Sequence, residues 1–319
     1  MDCIISTKFR RANIQALSII RDITKLSVPD DEPLYFDFRS YNENTPFSNL
    51  VIANTVRQYV QSHNNKAILK PHASTYLSHL GFYDLIGAKY GKRIGEARAN
   101  SNYVPLRRIS LDGDFYSNIE RNGHELSCLL QFDMQLQSFL EYIFIETIRN
   151  VFEHAETKEV FLSAQKWPSR NLLEISIADT GCGVSNSLGR LYKEKNELEL
   201  LYLAGEPGIT ARSNYSYLDS NNAWLNSGYG LYILRMLSIA YGGSFMLCSG
   251  NYALHQTQKG ITVYKTTYKG TAIAIRLKTD NNIIFEETRD RIKEEGERRA
   301  ATIEGAIKKA SKSSGGHYH

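Results

Sequence analysis

Between Gln135 and Ala155 the chain repeats apolar residues at the spacing of an α-helix and places polar side chains opposite them. At about 100° per residue, Phe144, Ile148, Val151 and Phe152 fall on one side, and Glu146, Asn150, Glu153 and His154 on the other. Such a helix buries its apolar side in a core and offers a carboxylate, an amide and an imidazole together. The amide oxygen of Asn150 is a hard ligand suited to Mg²⁺, which keeps several waters and binds substrate phosphates. Glu146, one turn earlier, can orient or deprotonate an attacking hydroxyl or water. A solvated polar helix face would show the same pattern, so this helix alone does not separate a binding site from a surface.

Two further blocks lie downstream. Leu172-Leu-Glu-Ile-Ser-Ile-Ala178 alternates like a half-buried strand and runs into Asp179, Gly181 and Gly183. Glycines at a strand end permit a tight turn and a close backbone approach to a ligand. Gly228-Tyr229-Gly230 then opens an apolar helix from Leu231 to Tyr241, whose free N–H groups can cradle phosphates. Finally Tyr268-Lys-Gly270-Thr271 introduces a strand.

In this order the blocks resemble the nucleotide site of the GHKL superfamily, which groups DNA gyrase, the large heat-shock chaperone, histidine kinases and the mismatch-repair ATPase. The resemblance covers roughly residues 126–278. It implies ATP as the ligand, with Glu146 catalytic, Asn150 holding Mg²⁺, and Asp179 accepting from the adenine amino group. It further implies nucleotide contacts from His154, Gly181, Gly183, Gly228, Tyr229, Gly230, Leu231 and Thr271. Arg212 would reach the terminal phosphate from a lid within the long Asn-, Ser- and Gly-rich stretch 185–227. The implied fold is a Bergerat-type α/β sandwich, a mixed, mostly antiparallel sheet covered on one face by helices. The Glu146-x-x-x-Asn150 spacing, the His154-Ala ending and the run Glu206-Pro-Gly-Ile-Thr-Ala-Arg212 are most similar to the anti-sigma serine kinases.

The N-terminal part reads as a separate small α/β layer. Strands are expected at 34–38 and 66–70, and helices at 47–61 and 74–86, which argues for a parallel sheet. This pattern looks like a STAS-type domain, the fold of anti-sigma antagonists. That comparison singles out Ser74 and Thr75 as phosphoacceptors, although helix capping explains the same residues. The expected division is a STAS-like domain with connector over 1–112, the ATP-binding domain over 113–280, and a charged helix with a tail over 281–319.

The remaining features bound the context. His124 in Gly-His-Glu-Leu resembles a phosphoacceptor histidine box but lies too near Asn150 for the usual two-helix hairpin, and reads as a surface histidine near a helix start. A net charge of +4 without a Lys/Arg stripe argues against nucleic acid. No apolar run approaches a membrane span. Cys3, Cys128, Cys182 and Cys248 show no paired spacing, which suggests reduced thiols in a cytoplasmic protein. The charged stretch 286–312 reads as a solvated terminal helix, or as a surface for a protein partner or a second copy. The expected function is Mg²⁺-dependent ATP binding and hydrolysis coupled to a conformational or partner-assembly switch. The alternatives are a protein serine/threonine kinase and an ATP-binding module without turnover.

Overall fold

The computed structural model describes residues 2–5, 11–28, 34–41, 44–63, 67–70, 75–87, 100, 102–110, 115–130, 133–211 and 228–310. It is a mixed α/β structure with two sheets. The smaller is parallel, in the order β1 (Asp2–Ile4), β2 (Leu34–Asp37), β3 (Ala67–Lys70). Its strands are linked by α1 (Ala12–Thr24) and α2 (Pro46–Ser62), and β3 is followed by the short helices α3 (Thr75–His79) and α4 (Phe82–Leu85). The start of α2 follows from its sequence. Thr45 accepts from the backbone of Ser48, the Ser48 hydroxyl accepts from the backbone of Thr45, and Pro46 occupies the first helical position, where no N–H is missed.

The larger sheet has five strands. They are β4 (Tyr103–Ser110), β5 (Glu159–Trp167), β6 (Leu172–Asp179), β7 (Ser244–Thr257) and β8 (Gly260–Lys278), in the order β4-β5-β6-β8-β7. Every pairing in it is antiparallel, which corrects the expectation of a mixed sheet. The parallel pairs are confined to the N-terminal sheet, where helices supply the crossovers that parallel strands require.

Both faces of the five-stranded sheet are covered, not one. The front carries α5 (Phe115–Ser127), α6 (Met134–His154), α7 (Gly183–Leu188), α8 (Glu197–Ala204), α9 (Gly230–Ala240) and α10 (Phe285–Ala300). On that face Ile175 and Ile177 of β6 and Ile273, Ile275 and Leu277 of β8 join one core with α6 and α9. The alternate residues of the same strands, Ala178, Ala272 and Ala274, point to the back, where they share a second core with Phe36, Leu50 and Val51. Small side chains there let α1 and α2 approach closely, so β6 is buried on both faces rather than half-buried.

Polar contacts weld the same junction. Glu174 of β6 is fully buried, at 0% exposure. It accepts from the Phe47 backbone at 2.9 Å, in the first turn of α2, from Asn13 of α1 at 3.1 Å and from Arg276 of β8 at 2.5 Å. A carboxylate at a helix N-terminus satisfies orphan N–H groups and complements the helix dipole. The N-terminal layer is therefore built onto the back of the large sheet, and the expected boundary at 112 falls after β4, which is already an edge strand of that sheet.

Three other expectations change. His124 lies in the last turn of α5 instead of near a helix start. The first part of the stretch 185–227 is ordered as α7 and α8, whose Leu188, Leu200 and Leu201 enter the front core. Residues 286–312 are not a single solvated helix. α10 ends at Ala300, and Phe285, Ile292 and Ala300 are buried in the front core. Ser74 and the Thr75 side chain lie outside the described residues. No helix among the described residues is long and apolar enough to cross a membrane. All four cysteines are free.

Candidate functional site

The front face opens into a cavity of about 230 Å³ between α6, the end of β6, β8, α7 and the start of α9. Glu146 and Asn150 of α6, Asp179 of β6, Gly183, Gly228, Gly230 and Leu231 around α7 and α9, and Thr271 of β8 all line it. Residues spread over more than a hundred positions of sequence thus meet at one concave, mostly apolar site with a few polar groups, the usual composition of a ligand pocket.

Asp179 is the most constrained of these groups. It is 2% exposed, and both hydrogen bonds to its carboxylate, from Gly181 N at 2.8 Å and Thr271 N at 3.2 Å, go to Oδ1. Two backbone donors on one oxygen fix the carboxyl plane and leave Oδ2 for the cavity. Burial pushes the carboxyl up to about 7, with the two backbone bonds opposing the shift. The loop after it is shaped by close approaches. A Cβ at Gly181 would lie 2.0 Å from the Ala155 carbonyl at the end of α6, and one at Gly270 would lie 2.2 Å from the Asp179 carbonyl. Gly183 has a φ of +75°, a conformation that favours glycine.

The two α6 residues are placed by helix geometry. Tyr142, Glu146 and Asn150 follow one another at four-residue spacing along the cavity side, with Thr147 and Val151 beside them. Val151 packs against the front core, as expected, and also lines the cavity. Glu146 is 8% exposed and pairs with Arg149 one turn on, so it sits on no solvated face. The α6 N-terminus is set by Asp133, which accepts from Leu136 N at 2.9 Å.

Two of the expected contact residues do other work. Gly181 does not line the cavity; its role is the close packing against Ala155. Tyr229 points away from the cavity. It is fully buried at 0% exposure, against Gly296 of α10, and its hydroxyl donates to the Ile307 carbonyl at 3.2 Å. The backbone positions on either side of it, Gly228 and Gly230, do face the cavity, and a Cβ at Gly230 would meet nothing within 4 Å. The His154 side chain and Arg212 lie outside the described residues.

Ser249, which the sequence did not single out, braces the loop beneath the cavity. Ser249 of β7 donates to the Gly270 carbonyl at 2.8 Å and accepts from Val184 N at 3.0 Å, tying α7 to the β7–β8 pair. Ile209, Thr210 and Ala211 form the side facing α9. A lone serine within a strand carries no signal in sequence, whereas the 209–211 wall belongs to the run Glu206–Arg212, and the Ile209 backbone there packs against Gly228.

Scanned against protein-family models, the chain matches none, and a search of curated proteins finds no match either.

Proposed function

We propose that the cavity binds ATP with Mg²⁺ and that the chain hydrolyses it, turnover being coupled to a conformational or partner-assembly switch. The observation that carries this reading is the buried Asp179, held through Oδ1 by two backbone donors, in the same cavity as Glu146, Asn150 and the first turn of α9. Oδ2 is an acceptor suited to an adenine amino group. The free N–H groups at the start of α9 suit phosphates. On this reading the C-terminal unit is a Bergerat-type domain of the GHKL superfamily that departs from the expected form in its all-antiparallel sheet and covered back face. The parallel β1-β2-β3 layer with α1 and α2 is read as STAS-like.

The residues present fit a magnesium ion. The Asn150 amide oxygen and the Glu146 carboxylate are hard donors one helical turn apart on the same wall. Asn150 would hold Mg²⁺, which neutralises charge on the β- and γ-phosphates when bound. Glu146 orients and takes the proton of the attacking water. Its pairing with Arg149 keeps the carboxylate at the cavity edge. Ile143, Ile177 and Ile273 supply apolar wall to the same cavity.

One observation favours a second reading, transfer of the γ-phosphate to a protein serine or threonine. The run Glu206–Arg212, similar to that of the anti-sigma serine kinases, supplies Ile209, Thr210 and Ala211 to the cavity wall. The deciding experiment incubates the pure chain with γ-labelled ATP and Mg²⁺, with and without cell extract. Released phosphate without labelled protein supports the hydrolase, and labelled protein supports the kinase. Saturable binding with neither product leaves an ATP-binding regulatory module. No binding of adenine nucleotide would overturn all three.

A further inference from the structure

The C-terminal segment after α10 folds back across the front core and meets Gly208 beside the cavity wall. Ala306 N donates to the Ile303 carbonyl, and Ile307 N donates to the Gly208 carbonyl at 2.8 Å. The Ile307 carbonyl in turn accepts from the Tyr229 hydroxyl at 3.2 Å. Ile307 therefore bridges two stretches of chain that both reach the cavity, Gly208–Ala211 and Gly228–Gly230. Those stretches also touch each other directly, since Gly208 N donates to the Gly228 carbonyl at 3.2 Å.

The glycines show how tightly this junction is built. Gly208 has a φ of +76°, and a Cβ there would lie 2.3 Å from the Ile307 carbonyl oxygen. Gly305 has a φ of +77° and packs beside the Tyr192 ring. Ala310 N donates to Glu297 at 3.2 Å and so ties the segment to α10, which is itself held on α9 where Gly296 packs against Tyr229 and Tyr232. A solvated tail needs none of these contacts.

We propose that residues 303–310 act as a strap that positions the Gly208–Ala211 and Gly228–Gly230 walls, so that docking of this segment and filling of the cavity are thermodynamically linked. Ile307 and Tyr229 are the positioning residues, and neither touches the ligand. The strap rests on the reading of the cavity as an ATP site. Linkage is reciprocal: a ligand that needs both walls in place must stabilise the docked strap by the same factor by which the strap raises ligand affinity.

Hydrogen exchange and nucleotide titration on the full chain test both directions. In the wild type, saturating Mg²⁺–ATP slows exchange of the Ile307 amide about tenfold or more. Ile307→Pro removes that N–H, and Tyr229→Phe removes the hydroxyl while keeping the ring in place. Each weakens Mg²⁺–ATP affinity about tenfold, and exchange across 301–310 then no longer responds to nucleotide. If the wild type binds ATP while its Ile307 exchange is unchanged and Tyr229→Phe binds within twofold of wild type, the strap is overturned and the ATP site stands. If the wild type binds no adenine nucleotide, the cavity reading fails and the strap with it. Tyr229→Phe keeps the test open should Ile307→Pro fold poorly.

Discussion

The hydroxyl of Tyr268 donates a 3.0 Å hydrogen bond to the backbone carbonyl of Asp179 and accepts one of 3.1 Å from the Asn54 amide. A helix of the N-terminal layer is thereby joined, through one buried tyrosine, to the residue that dominates the cavity. All three residues are at most 2% exposed, so water cannot replace a lost partner. Tyr268→Phe strands both the Asp179 carbonyl and the Asn54 amide, and is expected to cost about 1–3 kcal/mol in urea unfolding. Asn54 Oδ1 has no partner among the described residues. Asn54→Leu should accordingly cost less than Tyr268→Phe, and the double variant less than the sum of the two. Strict additivity would show that the chain of bonds is not a unit.

Asp179→Asn separates function from stability. The amide keeps an acceptor for Gly181 N and Thr271 N but places a donor where the adenine amino group would donate. ATP affinity should fall more than tenfold, or about 1.4 kcal/mol. Stability should move the opposite way. The carboxyl is raised from its ordinary 3.8 to about 7 in the folded chain, so between those values the folded state binds more protons and wild-type stability falls as pH rises. Relative to wild type, Asp179→Asn should gain up to about 1.4 kcal/mol per pH unit across that window and level off above about pH 7. Thermal melts from pH 4 to pH 8 check the sign; parallel curves would show that Asp179 is not buried as described.

The same titration bears on the ligand. Wild-type ATP affinity should rise as pH passes through about 7, because the ionised carboxylate is the stronger acceptor. Affinity of Asp179→Asn should be flat over that range, and GTP, which presents a carbonyl at the corresponding position, should compete poorly against wild type. Calorimetric titrations at three pH values suffice.

Glu146 and Asn150 should fail differently. Glu146→Ala is expected to retain Mg²⁺–ATP and lose turnover by roughly 10²–10⁴, the range for a missing general base. Asn150→Ala should weaken Mg²⁺-dependent binding itself, since the metal bridges protein and phosphates. Turnover at the wild-type rate in Glu146→Ala would remove that residue from the mechanism.

Glu174 holds the N-terminal layer on the sheet. Glu174→Ala leaves the Arg276 guanidinium part-buried without its carboxylate and frees the Phe47 N–H, so a loss of about 3–5 kcal/mol is expected. Replacing the pair together, as Glu174→Leu with Arg276→Met, should restore part of that loss. Denaturant midpoints of the single and double variants measure both.

The amino-acid sequence by itself determined the local elements and most of the cavity's polar groups. Helical spacing from Gln135 to Ala155 placed Glu146 and Asn150 one turn apart, and the run into Asp179 marked a strand end, because periodicity and glycine placement are local properties of the chain. Alternating strands and helices in the N-terminal part likewise announced its parallel sheet. What covers each strand is not local. Ala178, Ala272 and Ala274 look like ordinary strand residues until α1 and α2 pack onto them and bury the second face. Gly181 and Tyr229 lie beside cavity residues in sequence, yet tertiary contacts with Ala155 and Ile307 keep both out of the cavity lining. The strap over Gly208 was invisible for the same reason: it joins residues about a hundred positions apart through backbone atoms, which every residue but proline supplies alike.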